Sequence, residues 1–381
     1  MRKQRIIGIV IIIIIVLAIL GINNRSIFND DKQVMQDKQQ NLTIDEKVDQ
    51  IVASMSQTEK LGQMVMIGIQ GTKVDDDSLY MLNQYHMGGV ILFDRNMESL
   101  EQVKQLTSDL QAQSNEKVPL FIGIDEEGGD VVRMAEKLTP APSQKEIGAT
   151  GDIEQAKTWA IKTAKSLKDM GINVNFAPVA DVGSNDKRSY STDANTVIDF
   201  VRAATKGYQQ ENIIYSLKHF PGIGKGKVDS HIDSSSIDVA KEVLMTEDIL
   251  PFKTIIDESD PNDYFILVSH LKYLALDEEY PASLSSKIMT DLLRNKLGYK
   301  GIIITDDMEM GAVANHNDFR SIGVNAVKAG ADIVLVCHEY KHQQEVYLGL
   351  LDAVNSGEIS QERIDESVKR IIKVKLLHLY Q

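Results

Sequence analysis

Eight short, almost uninterrupted apolar runs, most of them separated by longer amphipathic stretches, restrict the fold of this sequence more than any other feature. The runs are QMVMIGI, GGVILF, PLFIGID, INVNFAPVAD, NIIYSLKHF, YFILVSHL, GIIITDD and ADIVLVC. Between them, LEQVKQLTSDLQAQ, DIEQAKTWAIKTAKSL, VIDFVRAATKGYQQ, SSKIMTDLLRNKL and FRSIGVNAVKAG repeat apolar residues at spacings of three and four, the period of a helix with one buried face. A strand that is apolar along its length has both faces covered, which indicates a parallel sheet under helices. Eight such units in about 335 residues predict an α/β fold, a (β/α)8 barrel of the TIM type. A doubly wound open sheet is the competing arrangement, but no glycine-rich dinucleotide fingerprint follows the first run.

The N-terminus has a different composition. Arg2, Lys3 and Arg5 precede an uncharged apolar run over residues 6–22, long enough to cross a bilayer as a helix. Positive charge before the run predicts a cytoplasmic N-terminus and an exported remainder. No A-x-A-like cleavage site and no cysteine for lipidation follow it, so a single-pass anchor at the cell membrane is expected, with secretion as the outcome if the segment is cleaved. The expected organisation is an anchor over residues 1–22, a polar linker over 23–42 and one barrel domain over 43–381. The formal net charge of −14 across 381 residues, with no basic patch, argues against a nucleic-acid partner. The single cysteine, Cys337, lies in an apolar run and reads as a small buried side chain.

In a parallel barrel, polar side chains that do chemistry gather where the strands end. Asp125, Asp181, Lys218, His219, His270 and Asp306 all stand at such ends, although polar residues also mark strand termini in proteins without activity there. The densest cluster is KHFPGIGKGKVDSHID, residues 218–233, which leaves the fifth run through a glycine-rich loop. Asp229 and His231 are two apart, so extended backbone puts both on one side. A carboxylate beside an imidazole makes a proton donor and acceptor suited to neutral pH, and the same pair is also an ordinary solvated surface contact. The stretch does not fit a phosphate-binding P-loop, because Gly222 to Gly226 is one residue too short and Val228 follows Lys227. It also supplies no ready metal-ligand spacing, so no metal and no cofactor are expected.

The seventh run ends in Thr305, Asp306 and Asp307. Adjacent strand residues face opposite ways, so one aspartate, Asp306, is expected in the barrel mouth and Asp307 as a cap of the following turn. A carboxylate placed like Asp306 can attack an anomeric carbon and form a glycosyl-enzyme.

These motifs, TEKLGQM, IDEEGGDVVR, NFAPVADV, KHFPG, DSH, PASLS, ITDDMEMGA and IDESVKRIIKVKLL, occur in an order that resembles glycoside hydrolase family 3, and within it the β-N-acetylglucosaminidases. The resemblance implies a TIM barrel in which Asp306 is the nucleophile and His231, supported by Asp229, is the acid/base. It further implies that Asp125, Arg133, Arg188, Lys218 and His219 hold the sugar hydroxyls and the acetamido group. The implied activity is retaining exo-hydrolysis of terminal β-linked N-acetylglucosamine, with cell-wall muropeptides as a natural source. The family usually reads KHFPGHGDTxxDSH, whereas this chain has Ile223, Lys225 and Gly226 for the His, Asp and Thr. Glu126 and Asp130 stand where Gln and Arg are common, which makes that rim more acidic. Two other functions share these residues: phosphorolysis of the same glycosides, and a membrane-tethered glycan-binding barrel that has lost turnover. The oligomeric state is not encoded in any of these features.

Overall fold

The computed structural model describes residues 42–114, 118–134, 139–183, 187–226, 236–315 and 318–380. The anchor expected over residues 6–22 lies outside them, as does the expected linker apart from Leu42. Among the described residues no helix is long and apolar enough to cross a membrane. The chain divides at Gln50 into a short unit and a large one, Ile51–Gln381. The large unit contains the barrel.

All eight apolar runs form strands of one parallel sheet: β1 Val65–Gly68, β2 Gly89–Leu92, β3 Phe121–Ile124, β4 Val174–Asn175, β5 Ile214–Phe220, β6 Tyr264–Val268, β7 Ile302–Thr305 and β8 Val334–Val336. The ladders run β8-β1-β2-β3-β4-β5-β6-β7, with registers such as Val65↔Val334 and Leu267↔Ile304. A parallel bridge between Ile304 and Ile333 joins the two ends, giving a nearly closed barrel. Every strand residue is buried, as the continuous apolar runs require. Side chains meet in the interior: Phe121 packs edge-on against Phe265 at 5.2 Å between ring centres. A Cβ at Gly123 would lie 2.7 Å from Met66 and 2.8 Å from Phe176, so this layer closes only over a glycine.

The helices begin where their sequences supply caps. Ser99, Asp152, Asp193, Asp318 and Ser360 each accept a backbone N–H of the first turn. The helix Leu100–Gln111 then buries Val103, Leu106, Thr107 and Leu110 along one face. One expected α-helix differs: Lys287–Lys296 takes the wider π register, with the Leu297 N–H donating to the Leu292 carbonyl. That register stacks residues four and five apart, and Ile288, Leu292 and Leu293 are all buried. A two-stranded parallel pair, Ser236–Ile237 with Lys272–Tyr273, has no counterpart in the sequence reading, because two residues give no period to detect.

Where β8 begins, at the N-terminal ends of the strands, the fully buried Asp332 gathers three arginines. It accepts from Arg294, from Arg370 at 2.9 Å, from Ser367 at 2.6 Å and from the Ile303 N–H at 2.9 Å, with Arg363 at 3.8 Å. Burial alone would raise its carboxyl, but Arg294, Arg370 and Arg363 hold it below the ordinary range. The last helix, Gln361–His378, is thereby fastened to the barrel. Because the folded value is lowered, this stabilisation is full above the ordinary aspartate range and is lost as pH falls through the folded value. Asp332→Ala is expected to destabilise the chain by about 3–5 kcal/mol near neutrality, since it strands buried guanidinium groups. The gap from wild type should narrow on acidification. Urea unfolding at several pH values measures both, and equal stability at neutral pH contradicts the assignment.

Candidate active site

The C-terminal ends of the strands surround a cavity of about 440 Å³. Its floor is apolar and comes from the barrel layers: Ile91 of β2, Phe176 just beyond β4, Leu267 of β6 and Leu335 of β8. Its walls are charged. Asp125, Arg133, Arg188, Lys218, His219 and Asp306, which the sequence places in the site, all line it. The two remaining expected residues, Asp229 and His231, lie outside the described residues.

One wall is an ion-paired lattice across β3, β4 and β5. The Lys218 ammonium donates to Asp125 at 2.7 Å and to Glu127 at 2.6 Å, and Arg188 grips both oxygens of Glu127 at 2.7 and 2.8 Å. Burial works against both charges, yet the partners win. Glu127 is held well below the usual carboxylate range by Lys218 and Arg188, and Lys218 is raised by Asp125 and Glu127. Asp181 fixes the neighbouring imidazole, accepting from His219 Nδ1 at 2.8 Å and from the His219 N–H at 3.1 Å. An arginine only donates, so the 3.0 Å contact between Arg188 and His219 Nε2 assigns Nε2 as the acceptor. Arg133 reaches Asp125 at 3.6 Å and Asp94 at 3.7 Å. The wall therefore presents fixed donors and acceptors to any ligand with several hydroxyls.

Asp306 faces this wall from β7. Its N–H continues the ladder to the Val268 carbonyl at 2.9 Å, and its Oδ1 accepts the Asp307 N–H at 2.9 Å. Asp307 does cap the next turn, accepting the Glu309 N–H at 3.1 Å. It also lines the cavity, contrary to the expectation that one aspartate would enter, because β7 ends at Thr305 and strand alternation no longer applies beyond it. His270 supports the same turn from below. Its Nε2 donates to the Asp307 carbonyl at 2.7 Å and its Nδ1 pairs with Ser283 at 2.7 Å.

The sequence profile of the glycosyl hydrolase family 3 N-terminal domain matches residues 56–374. The chain belongs to glycosyl hydrolase family 3. It is 35% identical over 326 residues to a β-hexosaminidase A of Pseudoalteromonas piscicida, covering 77% of this chain and 54% of that protein. It is 30% identical to a β-hexosaminidase of Nitrosomonas eutropha, covering 80% and 90% of the two chains. A family 3 β-N-acetylglucosaminidase of Paenibacillus superposes with a TM-score of 0.82 at 37% identity, over 86% of this chain and 63% of that one. The chain thus spans about half of the Pseudoalteromonas relative and less than two thirds of the Paenibacillus structure.

The departures from the family 3 pattern have local explanations. Ile223 lines the cavity, and its backbone N–H donates to Asp181 at 2.9 Å, so the loop leaving β5 is tied by main chain at that point. Lys225 turns away and pairs with the buried Asp248 at 2.5 Å and with Glu247 at 2.8 Å. Asp130 is an exposed rim residue matched by Lys187 at 3.2 Å. Sequence reasoning missed Glu127, although its spacing of two from Asp125 on the same strand end was a usable signal. It also missed Glu309 and His338, which line the cavity from the turns after β7 and β8.

Glu126 lies between two cavity residues and faces away from them, lining instead a separate cavity with Trp159 and Lys162. Its Oε2 accepts the Arg133 N–H at 2.8 Å. Burial raises its carboxyl from 4.5 to about 7, with the Arg133 N–H opposing the shift. Since the folded value is raised, the linked stability is full below about pH 4.5 and is lost as pH rises through about 7. Glu126→Gln keeps the acceptor and removes the ionisation. The variant should match wild type near pH 4.5 and exceed its stability by up to roughly 3 kcal/mol at pH 8. Thermal unfolding across pH reads this directly, and a pH-independent difference rules it out.

Proposed function

We propose that this chain is a retaining exo-β-N-acetylglucosaminidase in which Asp306 is the nucleophile and His231, held by Asp229, is the acid/base. The observation that carries the reading is the Asp306 carboxylate in a polar cavity opposite the Lys218–Asp125–Glu127–Arg188 lattice. The cavity volume falls in the range of small-ligand sites. Asp125, Arg133, Arg188, Lys218 and His219 hold the hydroxyls and acetamido group of the terminal sugar. Asp306 attacks the anomeric carbon as the bond to the leaving oxygen breaks, and His231 gives that oxygen a proton. Water then loses a proton to His231 and displaces Asp306, so the configuration is retained. The names of the relatives, two β-hexosaminidases and a β-N-acetylglucosaminidase, support this sugar specificity. The apolar run over residues 6–22 and the charges before it support a membrane-anchored enzyme acting outside the cell on cell-wall muropeptides.

The purified full-length chain should release the aryl group from an aryl β-N-acetylglucosaminide, with the β-anomer of the free sugar as first product by NMR. Asp306→Asn should lower kcat/KM by on the order of 10³-fold or more. Added inorganic phosphate should change neither rate nor product. Retention of activity in Asp306→Asn sinks the nucleophile assignment, an α-anomeric first product sinks the retaining mechanism, and a sugar phosphate product replaces hydrolysis by phosphorolysis.

A further inference from the structure

Asp307 is gripped from every side. Its backbone carbonyl accepts from His270 at 2.7 Å, its Oδ1 accepts the Glu309 and Cys337 N–H groups at 3.1 Å each, and its Oδ2 stands 3.2 Å from His338 Nε2. Its own N–H is the donor to Asp306 Oδ1. Any displacement of Asp307 is therefore passed to the Asp306 carboxylate through a single peptide.

Of these contacts only the one to His338 joins two side chains, and so only it can gain or lose a charge on both partners. His338 is the first residue past the cavity-lining Cys337. The charged groups around its ring come from two segments, the turn after β7 and the Asp94–Asn96 turn after β2. Asp307 faces Nε2, Arg95 lies 3.3 Å from Nδ1, and the nearby Glu309 accepts the His338 backbone N–H. On the helix that follows, Tyr340–Asn355, His342 is already paired with Glu309 at 2.6 Å. Arg95 is fixed by the Ile69 and Cys337 carbonyls at 3.0 and 2.5 Å, and the Phe93 ring lies 5.5 Å from the imidazole.

Resting on the reading of Asp306 as nucleophile, we propose that His338 is a positioning residue for it, acting through a charge-dependent hydrogen bond to Asp307. Nε2 carries a proton in either state of the ring. The Nδ1 proton is the one that comes and goes. With it, the bond to Asp307 is charge-assisted and stronger. Without it, Nδ1 accepts from Arg95 and the pull on Asp307 weakens. The hydrogen bond to Asp307 raises the imidazole above its ordinary value, against burial and Arg95, so the strong state persists toward neutral pH and is lost as pH rises further.

The test uses the full-length chain and a β-N-acetylglucosaminide with a dinitrophenyl leaving group, which needs no proton from His231. The kcat/KM profile then lacks the acid/base limb. Wild type should still lose activity on the alkaline side. His338→Gln, which keeps an N–H for Asp307 and a carbonyl for Arg95 but cannot titrate, should retain most activity and show no alkaline limb. Asp307→Asn should lose the limb as well. His338→Ala should fall by on the order of tenfold in kcat, with KM within about threefold. A flat wild-type profile, an alkaline limb that survives in His338→Gln, or equal losses in the Gln and Ala variants with the limb intact each overturn the proposal. Asp306→Asn separates the two levels. If it stays active, the nucleophile reading falls and takes this proposal with it; if it is inactive while the His338 variants keep the wild-type profile, the positioning role alone falls.

Discussion

A parallel strand covered on both faces has nowhere to put a charge except at its ends. In this barrel every residue of the eight strands is buried, and their sides are lined by neighbours or by helices. The two rims are therefore the places where ionised side chains can converge, and they converge at both. At one, Asp332 draws arginines from two helices to hold the last of them against the sheet. At the other, carboxylates, Lys218 and Arg188 form the wall of a cavity. The same constraint thus accounts for a structural cluster and a chemical one.

The two clusters differ in what their charges are left free to do. Asp332 is wholly enclosed and surrounded by donors on more than one side, so its charges are spent on each other. In the cavity, Asp125 and Arg188 keep part of their surface open while Glu127 and Lys218 are nearly sealed behind them. The sealed pair fixes the positions of the open pair. A ligand entering the cavity meets hydrogen-bonding groups that need little reorganisation, which favours recognition of a rigid polyhydroxylated ring.

The fold was legible because its signal is repeated. Eight apolar runs and the helical periods between them give the strand positions, and the strand-end rule points to Asp125, Lys218, His219 and Asp306. Contacts that depend on tertiary placement were not legible. Lys375 lies in a charged helical stretch that reads as solvent-facing, yet it is fully buried and donates to Gln63 and to the Gly88 carbonyl at 2.6 and 2.7 Å. Glu127 was hidden in a run of three acidic residues. His338 stood beyond the last strand, with nothing in its neighbours to distinguish it. Asp307 entered the cavity because its strand had already ended. A boundary one residue earlier than the apolar run suggested was enough to change its role.

The Lys225–Asp248 contact makes the unusual loop a matter of sign as well as shape. Asp248 is wholly buried, and Glu247 lies beside the same ammonium. An aspartate restored at position 225, as the family pattern has it, would face two carboxylates with no cation between them. The loop residue and the helix residues that receive it consequently form one electrostatic unit. A change toward the common sequence at 225 removes the cation that the buried Asp248 carboxylate pairs with.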